Sequence, residues 1–190
     1  AVAHELEALG VDYFAVAYVK EGVALRDAGI RTPILVLHPQ PINFEELIDR
    51  CLEPSIYSTR ILKHFIAVAE RKQQIEYPVH IKFNTGLNRL GFKANETESV
   101  LATLETTKTI KIRSLFSHLV ASEDPKEKEF TLQQIEAFKN IANTIKARLP
   151  YEFFMHQSNT SGIINYPQAH FDMVRVGIGL YGYGNAAVEN

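Results

Sequence analysis

The stretch that decides the fold covers residues 12 to 37, DYFAVAYVKEGVALRDAGIRTPILVL. Its first part, residues 12 to 19, is almost continuously apolar, which predicts a short buried strand. A helix follows and is expected to end at Gly29, because glycine readily takes the left-handed conformation that stops a helix. PILVL at 33 to 37 then predicts a second buried strand. The stretch therefore has the strand, helix and strand order of a parallel sheet.

The same alternation continues to the end of the chain. Five further strands are predicted: PSIY at 54–57, VHIKF at 79–83, IRSLFSH at 112–118, FFMHQ at 153–157 and MVRVGIGLYG at 173–182. Helices are expected between almost all of them, including one capped by Asn43 and one whose Asn95 and Glu98 have capping-box spacing. A further helix is predicted over the first ten residues, before the first strand.

Near-continuous apolar strands separated by helices indicate a parallel sheet covered by helices, either a doubly wound sheet or a closed barrel. A closed barrel needs eight strands, each followed by a helix. Here seven predicted strands are preceded by a helix without a strand of its own. We therefore expect an α/β fold, a (βα)8 TIM-type barrel that lacks its first strand, as one partial domain over residues 1–190.

Composition restricts the class of ligand. Hydrophobic residues make up 46% of the chain, charged residues 22%, and the net charge is −2 with both signs interspersed. Such a surface offers no basic patch for nucleic acid or for an anionic membrane. No apolar run approaches the ~20 residues of a membrane span, and the start AVAHELEALG lacks the features of a signal peptide. We expect a cytoplasmic protein that binds small molecules.

Ligands of such barrels bind at the carboxyl ends of the strands, and phosphate commonly binds the loops after the last two. The hydroxyl of Thr160 and the adjacent helix NH groups could hold a phosphate there. Gly177 would let the backbone approach an anion, with the Ile178 NH as a second donor. The alternative is that Asn159 and Thr160 merely cap a helix. The histidines have no metal-ligand spacing, so no metal site is expected.

Four blocks of the chain resemble, in order and spacing, those of alanine racemases: HIKFNTGLNRLGF at 80–92, FSHLVASED at 116–124, HQSNTSG at 156–162 and FDMVRVGIGLYG at 171–182. The stretch from 14 to 37 is also similar to the second and third strand region of that family. The departures are conservative: Asn84 for a usual Asp, Leu87 for Met, Thr160 for Ser and Val176 for Pro. The resemblance covers nearly the whole chain.

The resemblance implies a pyridoxal 5′-phosphate site. It assigns Arg175 to the pyridine nitrogen of the cofactor, Thr160, Gly177 and Ile178 to the phosphate, Asn159 beside the phosphate, and Leu37 against the ring. A guanidinium has a pKa above ~12 and is a poor proton donor, so the ring nitrogen would stay largely unprotonated. The alternative for Arg175 is a surface ion pair at a strand end.

The resemblance also implies catalytic roles for Lys82, Arg89, His118 and Arg175. Because Lys82 lies in an apolar strand, its ammonium must be paired or neutralised. Either it forms an ion pair with a carboxylate, or it is carbamylated by carbon dioxide and its new negative charge orients Arg89 toward the cofactor and the substrate carboxylate. Otherwise Arg89 is a solvated loop arginine. His118 would reach Arg175 or simply end its strand, with His156 as a support.

Two groups that the family uses for proton transfer have no match in the chain. One is the lysine that binds the cofactor, in a block resembling KANAYGHG, and the other is a tyrosine on a C-terminal β domain of the other subunit. We therefore expect a parent homodimer that interconverts L- and D-alanine for peptidoglycan, of which this chain alone is inactive. The alternatives are a pyridoxal-phosphate carrier module and a non-catalytic interaction domain.

Overall fold

The computed structural model describes residues 1 to 184. Its helices and strands alternate in chain order: α1 (Val2–Ala8), β1 (Phe14–Val16), α2 (Val19–Asp27), β2 (Ile34–Val36), α3 (Phe44–Asp49), β3 (Glu53–Ile56), α4 (Thr59–Arg71), β4 (Tyr77–Lys82), α5 (Thr97–Thr106), β5 (Ile110–Phe116), α6 (Lys128–Lys146), β6 (Phe154–His156) and α7 (Thr160–Asn165). The six strands are neighbours in the same order as in the chain. Alternating order of this kind belongs to parallel α/β folds.

The chain divides into two compact units, of which the first comprises Ala1–His80 and Thr107–Lys111. In this unit β1 pairs with β2 and β2 with β3, all parallel. Strand β2 is fully buried, as its uninterrupted Ile-Leu-Val sequence predicts. Helix α4 begins at the N-cap Ser58, whose hydroxyl accepts from the backbone of the first turn. Its Phe65 packs edge to face on Phe44 of α3, with ring centroids 5.1 Å apart.

The second unit comprises Ile81–Thr106 and, of the described residues, those from 112 to 184. Here β5 pairs in parallel with β6, and the register sets Phe116 opposite His156. Helix α6 buries one stripe of its surface, which includes Ile135, Phe138 and Ile145. Within this unit the carboxyl ends of β4, β5 and β6 carry the residues that form the site described below.

Six of the seven predicted strands are confirmed, but the prediction of a strand over 173–182 is wrong. In that segment Met173 forms a single parallel bridge to His156. The chain then leaves the sheet and forms a 3-10 turn over Ile178–Tyr181. Glycine in a strand weakens it, and this segment has glycines at 177, 179 and 182. The apolar residues between them are largely exposed rather than buried, with Ile178 at 61%.

Two helix starts also differ from the predictions. Asn43 precedes α3, but its side chain makes no capping hydrogen bond. Before α5 the carboxylate that reaches back is Glu96, which accepts from the Lys93 NH at 2.8 Å, rather than Glu98. Within residues 1–184, none of the helices combines the length and apolar character needed to cross a lipid bilayer.

Candidate functional site

Arg175 is at the centre of the second unit's polar cluster. Its backbone NH donates to the carbonyl of Ser158, which holds the segment after Met173 against the end of β6. Its guanidinium Nη2 donates to the carbonyl oxygens of Ser117, at 2.7 Å, and Gln157, at 3.1 Å. These two carbonyls directly follow β5 and β6. The two strand ends thus orient one guanidinium.

Two imidazoles complete the contacts of Arg175. Nη1 contacts Nδ1 of His156, and Nη2 lies 3.2 Å from Nδ1 of His118. A guanidinium only donates, so Nδ1 of His156 must accept from Nη1 and that ring is neutral. Nη2 has two hydrogens for three neighbours, so its contact with Nδ1 of His118 is a shared hydrogen bond. Burial, followed by the charge of Arg175, lowers the pKa of His118 to about 4. Burial lowers the pKa of Arg175 to about 10, so at pH 7 the guanidinium is charged between two neutral rings.

Lys82, the last residue of β4, is 5% exposed. Its Nζ lies 5.6 Å from the ring centroid of Phe116, and the Cζ of Arg175 lies 5.5 Å from the same centroid. Burial first, then the charges of Arg89 and Arg175, lower the pKa of Lys82 to about 8. No carboxylate in the described part of the chain forms an ion pair with Lys82, so the ion-pair alternative finds no partner within residues 1–184.

A second group of donors lies after β6. The buried hydroxyl of Thr160 accepts from the NH groups of Gly177, at 3.1 Å, and Gly179, at 3.2 Å. Asn159 caps α7, because its Oδ1 accepts from the Gly162 NH at 2.9 Å. The space beside Gly177 is open, since an added Cβ would meet nothing within 4 Å. A hydroxyl and several backbone NH groups therefore lie together next to free space.

The two remaining predicted residues are placed differently. Arg89 is exposed, in a loop where Oδ1 of Asn84 accepts from the NH groups of Gly86 and Asn88. Leu37 belongs to the first unit, where it follows β2, is partly buried and donates its NH to the Val16 carbonyl at 2.8 Å. The second unit thus contains every predicted site residue except Leu37.

Sequence reasoning missed part of this cluster. It gave His156 only a supporting role, although the ring contacts the guanidinium, and it did not consider Ser114, whose Oγ lies 2.9 Å from His156 Nε2. The period-2 alternation of Ser114, Phe116 and His118 along the β5 segment would have indicated one shared face. The carbonyls of Ser117 and Gln157 leave no such signal. Within residues 1–184 no group of three or more acidic, histidine or cysteine side chains could hold a metal ion.

The comparisons with known proteins agree with one another. The model of the alanine racemase N-terminal domain matches residues 1–185. The alanine racemase of Sorangium cellulosum is 36% identical over 98% of this chain, which corresponds to 50% of that protein. The alanine racemase structure from Clostridium difficile 630 is 29% identical, with a TM-score of 0.88 over 96% of this chain and 47% of that one.

The alanine racemase structure from Bartonella henselae, which has covalently bound pyridoxal phosphate, is 26% identical with a TM-score of 0.80 over 95% of this chain and 51% of its own. The chain thus spans about half the length of these relatives. The predicted fold class, the TIM-type barrel of these enzymes without its early strand, is confirmed by the likeness and by the strand order. The chain belongs to the alanine racemase N-terminal domain family.

Proposed function

We propose that the whole protein, a cytoplasmic homodimer, interconverts L- and D-alanine with pyridoxal 5′-phosphate and so supplies D-alanine for peptidoglycan. The observation that carries the proposal is the arrangement of Arg175, whose charged guanidinium is oriented by two strand-end carbonyls and two neutral imidazoles. A structural ion pair would need a carboxylate, and none pairs with Arg175 within residues 1–184.

The donor set fits the cofactor. None of the hydrogen bonds that Arg175 makes within residues 1–184 uses Nε, so an N–H remains for the pyridine nitrogen, which is an acceptor. Thr160, Gly177 and Ile178 would hold the phosphate with a hydroxyl and NH groups, and the Gly177 NH would exchange its present acceptor, the Thr160 hydroxyl, for a phosphate oxygen. Asn159 would keep Thr160 in position by capping α7. Leu37 would contact the ring.

When bound, the cofactor supplies an aldehyde that condenses with an amino acid and a ring that withdraws electrons from its α carbon. The role of Arg175 follows from its own acidity. With a pKa of about 10 it keeps its proton at neutral pH, so the ring nitrogen would accept a hydrogen bond without being protonated. Because the pKa of His118 is about 4, this histidine does not compete as an acid.

We further propose that Lys82 is carbamylated. A buried amine with a pKa of about 8 is partly neutral at physiological pH and can therefore attack carbon dioxide. The nitrogen would form a bond to the carbon as one C=O π bond opens, and a proton would pass from the nitrogen to water. The product is an anion, which would lie among the positive charges of Arg89 and Arg175. It would turn the exposed Arg89 inward, to bind the substrate carboxylate and the phenolic oxygen of the cofactor.

The experiment is a titration of the 190-residue chain with pyridoxal 5′-phosphate, together with an assay of D-alanine formation. We expect weak, reversible binding and no racemisation, since general acid and base groups each contribute about 100- to 10,000-fold. R175A should lose the binding, while R113A, at an exposed position on β5, should retain it.

Binding that survives R175A would overturn the assignment of Arg175. Robust turnover by the chain would show that one of its own lysines anchors the cofactor. If binding is retained but the longer protein is inactive, the carrier-module interpretation is correct. If neither variant nor wild type binds, the interaction-domain interpretation is favoured.

A further inference from the structure

We propose that Ser114 is a positioning residue for Arg175 and that it acts through His156. Ser114 lies within β5 and is fully buried. Its Oγ is 2.9 Å from Nε2 of His156, and the opposite ring nitrogen, Nδ1, contacts Nη1 of Arg175. A hydroxyl and a guanidinium therefore bind the two nitrogens of one imidazole.

The chemistry of the three groups selects one form of the ring. Arg175 can only donate, so Nδ1 of His156 must carry a lone pair. A neutral imidazole with a bare Nδ1 has its proton on Nε2, and the hydroxyl of Ser114 is in position to accept that proton's hydrogen bond. The other tautomer, or the imidazolium, would point an N–H at the guanidinium. Ser114 therefore stabilises the form of His156 that can bind Arg175.

The same hydroxyl distinguishes between the two orientations of the ring. His156 is fully buried and stacks on Phe116, with ring centroids 4.8 Å apart and planes within 2°. Stacking fixes the plane of the imidazole, but a half-turn of the ring about its Cβ–Cγ bond leaves the stack almost unchanged while it exchanges the nitrogens with ring carbons. Polar contacts at the ring edge decide between the two orientations, and Ser114 provides one of them.

The tautomer and orientation of His156 in turn affect the direction of the Arg175 guanidinium. Its Nη2 is held by two carbonyls and His118, whereas Nη1 is held by His156. If His156 turned or changed tautomer, the contact at Nη1 would be lost and the guanidinium could swing about its Nη2 contacts. The direction of the remaining N–H thus depends on Ser114. This inference rests on the proposed function, in which that N–H binds the cofactor ring.

The first test is made without cofactor. The chain is labelled with 15N-histidine, and long-range imidazole spectra are recorded for wild type, S114A, S114T and S55A. Ser55 is the matched control because it is a fully buried strand serine, and its Oγ has no hydrogen-bond partner within residues 1–184. We expect a pure Nε2–H tautomer for His156 in wild type, S114T and S55A. In S114A the preference should fall roughly two- to tenfold, the factor for one neutral hydrogen bond.

The second test measures binding of 4′-deoxypyridoxine 5′-phosphate, which has the ring and phosphate of the cofactor but no aldehyde. We expect a two- to tenfold weaker affinity for S114A than for S55A. An unchanged His156 spectrum in S114A, or an Nδ1–H tautomer in wild type, would overturn the role of Ser114. Absence of probe binding by wild type would instead count against the proposed function, because the tautomer is measured without ligand. If S114A does not fold, S114C preserves the volume with a weaker acceptor and should give the same changes.

Discussion

Arg175 and Lys82 are two cations in the same unit, each close to the ring of Phe116, yet they are partnered in opposite ways. Arg175 donates to two carbonyls and two imidazoles. Lys82 is 5% exposed, and the charges that act on its pKa are those of two arginines. Burial lowers the pKa of both groups, but within residues 1–184 acceptors that compensate for lost hydration surround Arg175 and not Lys82.

The difference in partners determines which of the two side chains stays charged and which can react. A charge with several hydrogen-bond acceptors can be kept permanently, whereas a buried ammonium without a counter-charge is favoured to lose its proton or react. The surroundings of Arg175 thus preserve a cation, whereas those of Lys82 shift the amine toward its neutral form. Mutations at the two positions should therefore have effects of opposite sign on stability.

The largest effect is expected for R175M. The substitution removes a charged donor and leaves buried acceptors at Ser117 and Gln157, so it should lower the free energy of unfolding by about 3–5 kcal/mol. Urea unfolding followed by circular dichroism measures this loss. R60M, at an exposed position of α4, is the control and should stay within about 0.5 kcal/mol of wild type. A near-neutral R175M would show that Arg175 is no better partnered than Lys82.

K82M should instead stabilise the chain at pH 7. The folded pKa of Lys82, about 8, is below its ordinary 10.5, so between these values the unfolded state binds more protons. The free energy of unfolding of wild type should therefore rise by about 3 kcal/mol from pH 8 to pH 10.5, and K82M should lack that rise. Urea titrations at a series of pH values, in buffers free of carbon dioxide, measure the difference.

Added bicarbonate provides a second comparison of wild type with K82M. If Lys82 is carbamylated, added bicarbonate at pH 8 should stabilise wild type but leave K82M unchanged, because only the wild type can bind it covalently. Mass spectrometry under non-denaturing conditions should detect the added carbon dioxide. An equal pH dependence in wild type and K82M without bicarbonate would contradict the buried-amine interpretation.

His118 should produce a smaller effect on the acid side. Its pKa is lowered from 6.5 to about 4, so the unfolded state binds more protons between these values. Stability should fall as pH drops through that range, by about 2 kcal/mol after allowance for partial exposure. H118N keeps an acceptor for Arg175 and should remove this dependence, while H64N, an exposed position of α4, should not. A slope that persists in H118N would assign the acid sensitivity to another group.

Apolar periodicity was sufficient to predict the six strands, because each is a short buried run between helices. It failed at 173–182, where an equally apolar run contains glycines whose NH groups bind Thr160. At the site, the resemblance identified Arg175 and its neighbour His118. Ser114 and the two carbonyls were missed, because a serine inside a strand has no distinctive spacing and a carbonyl belongs to every residue. That Lys82 has two arginines and no carboxylate beside it within residues 1–184 could be seen only in the structure.

The smallest effect is expected at Thr160. Substitution there tests whether a protein acceptor holds the NH groups of Gly177 and Gly179 in place, as carbonyls and imidazoles hold Arg175. T160V keeps the shape but removes the hydroxyl that accepts from Gly177 and Gly179. Both glycines follow the sheet in a partly solvated segment, so water can replace the lost acceptor and the cost should be only about 1 kcal/mol. T160S should recover stability, and amide hydrogen exchange at 177 and 179 should quicken in T160V alone. Unchanged exchange in T160V would mean that the turn over Ile178–Tyr181 is stable without the Thr160 hydroxyl. Thr160 would then contribute to phosphate binding only by its own hydroxyl.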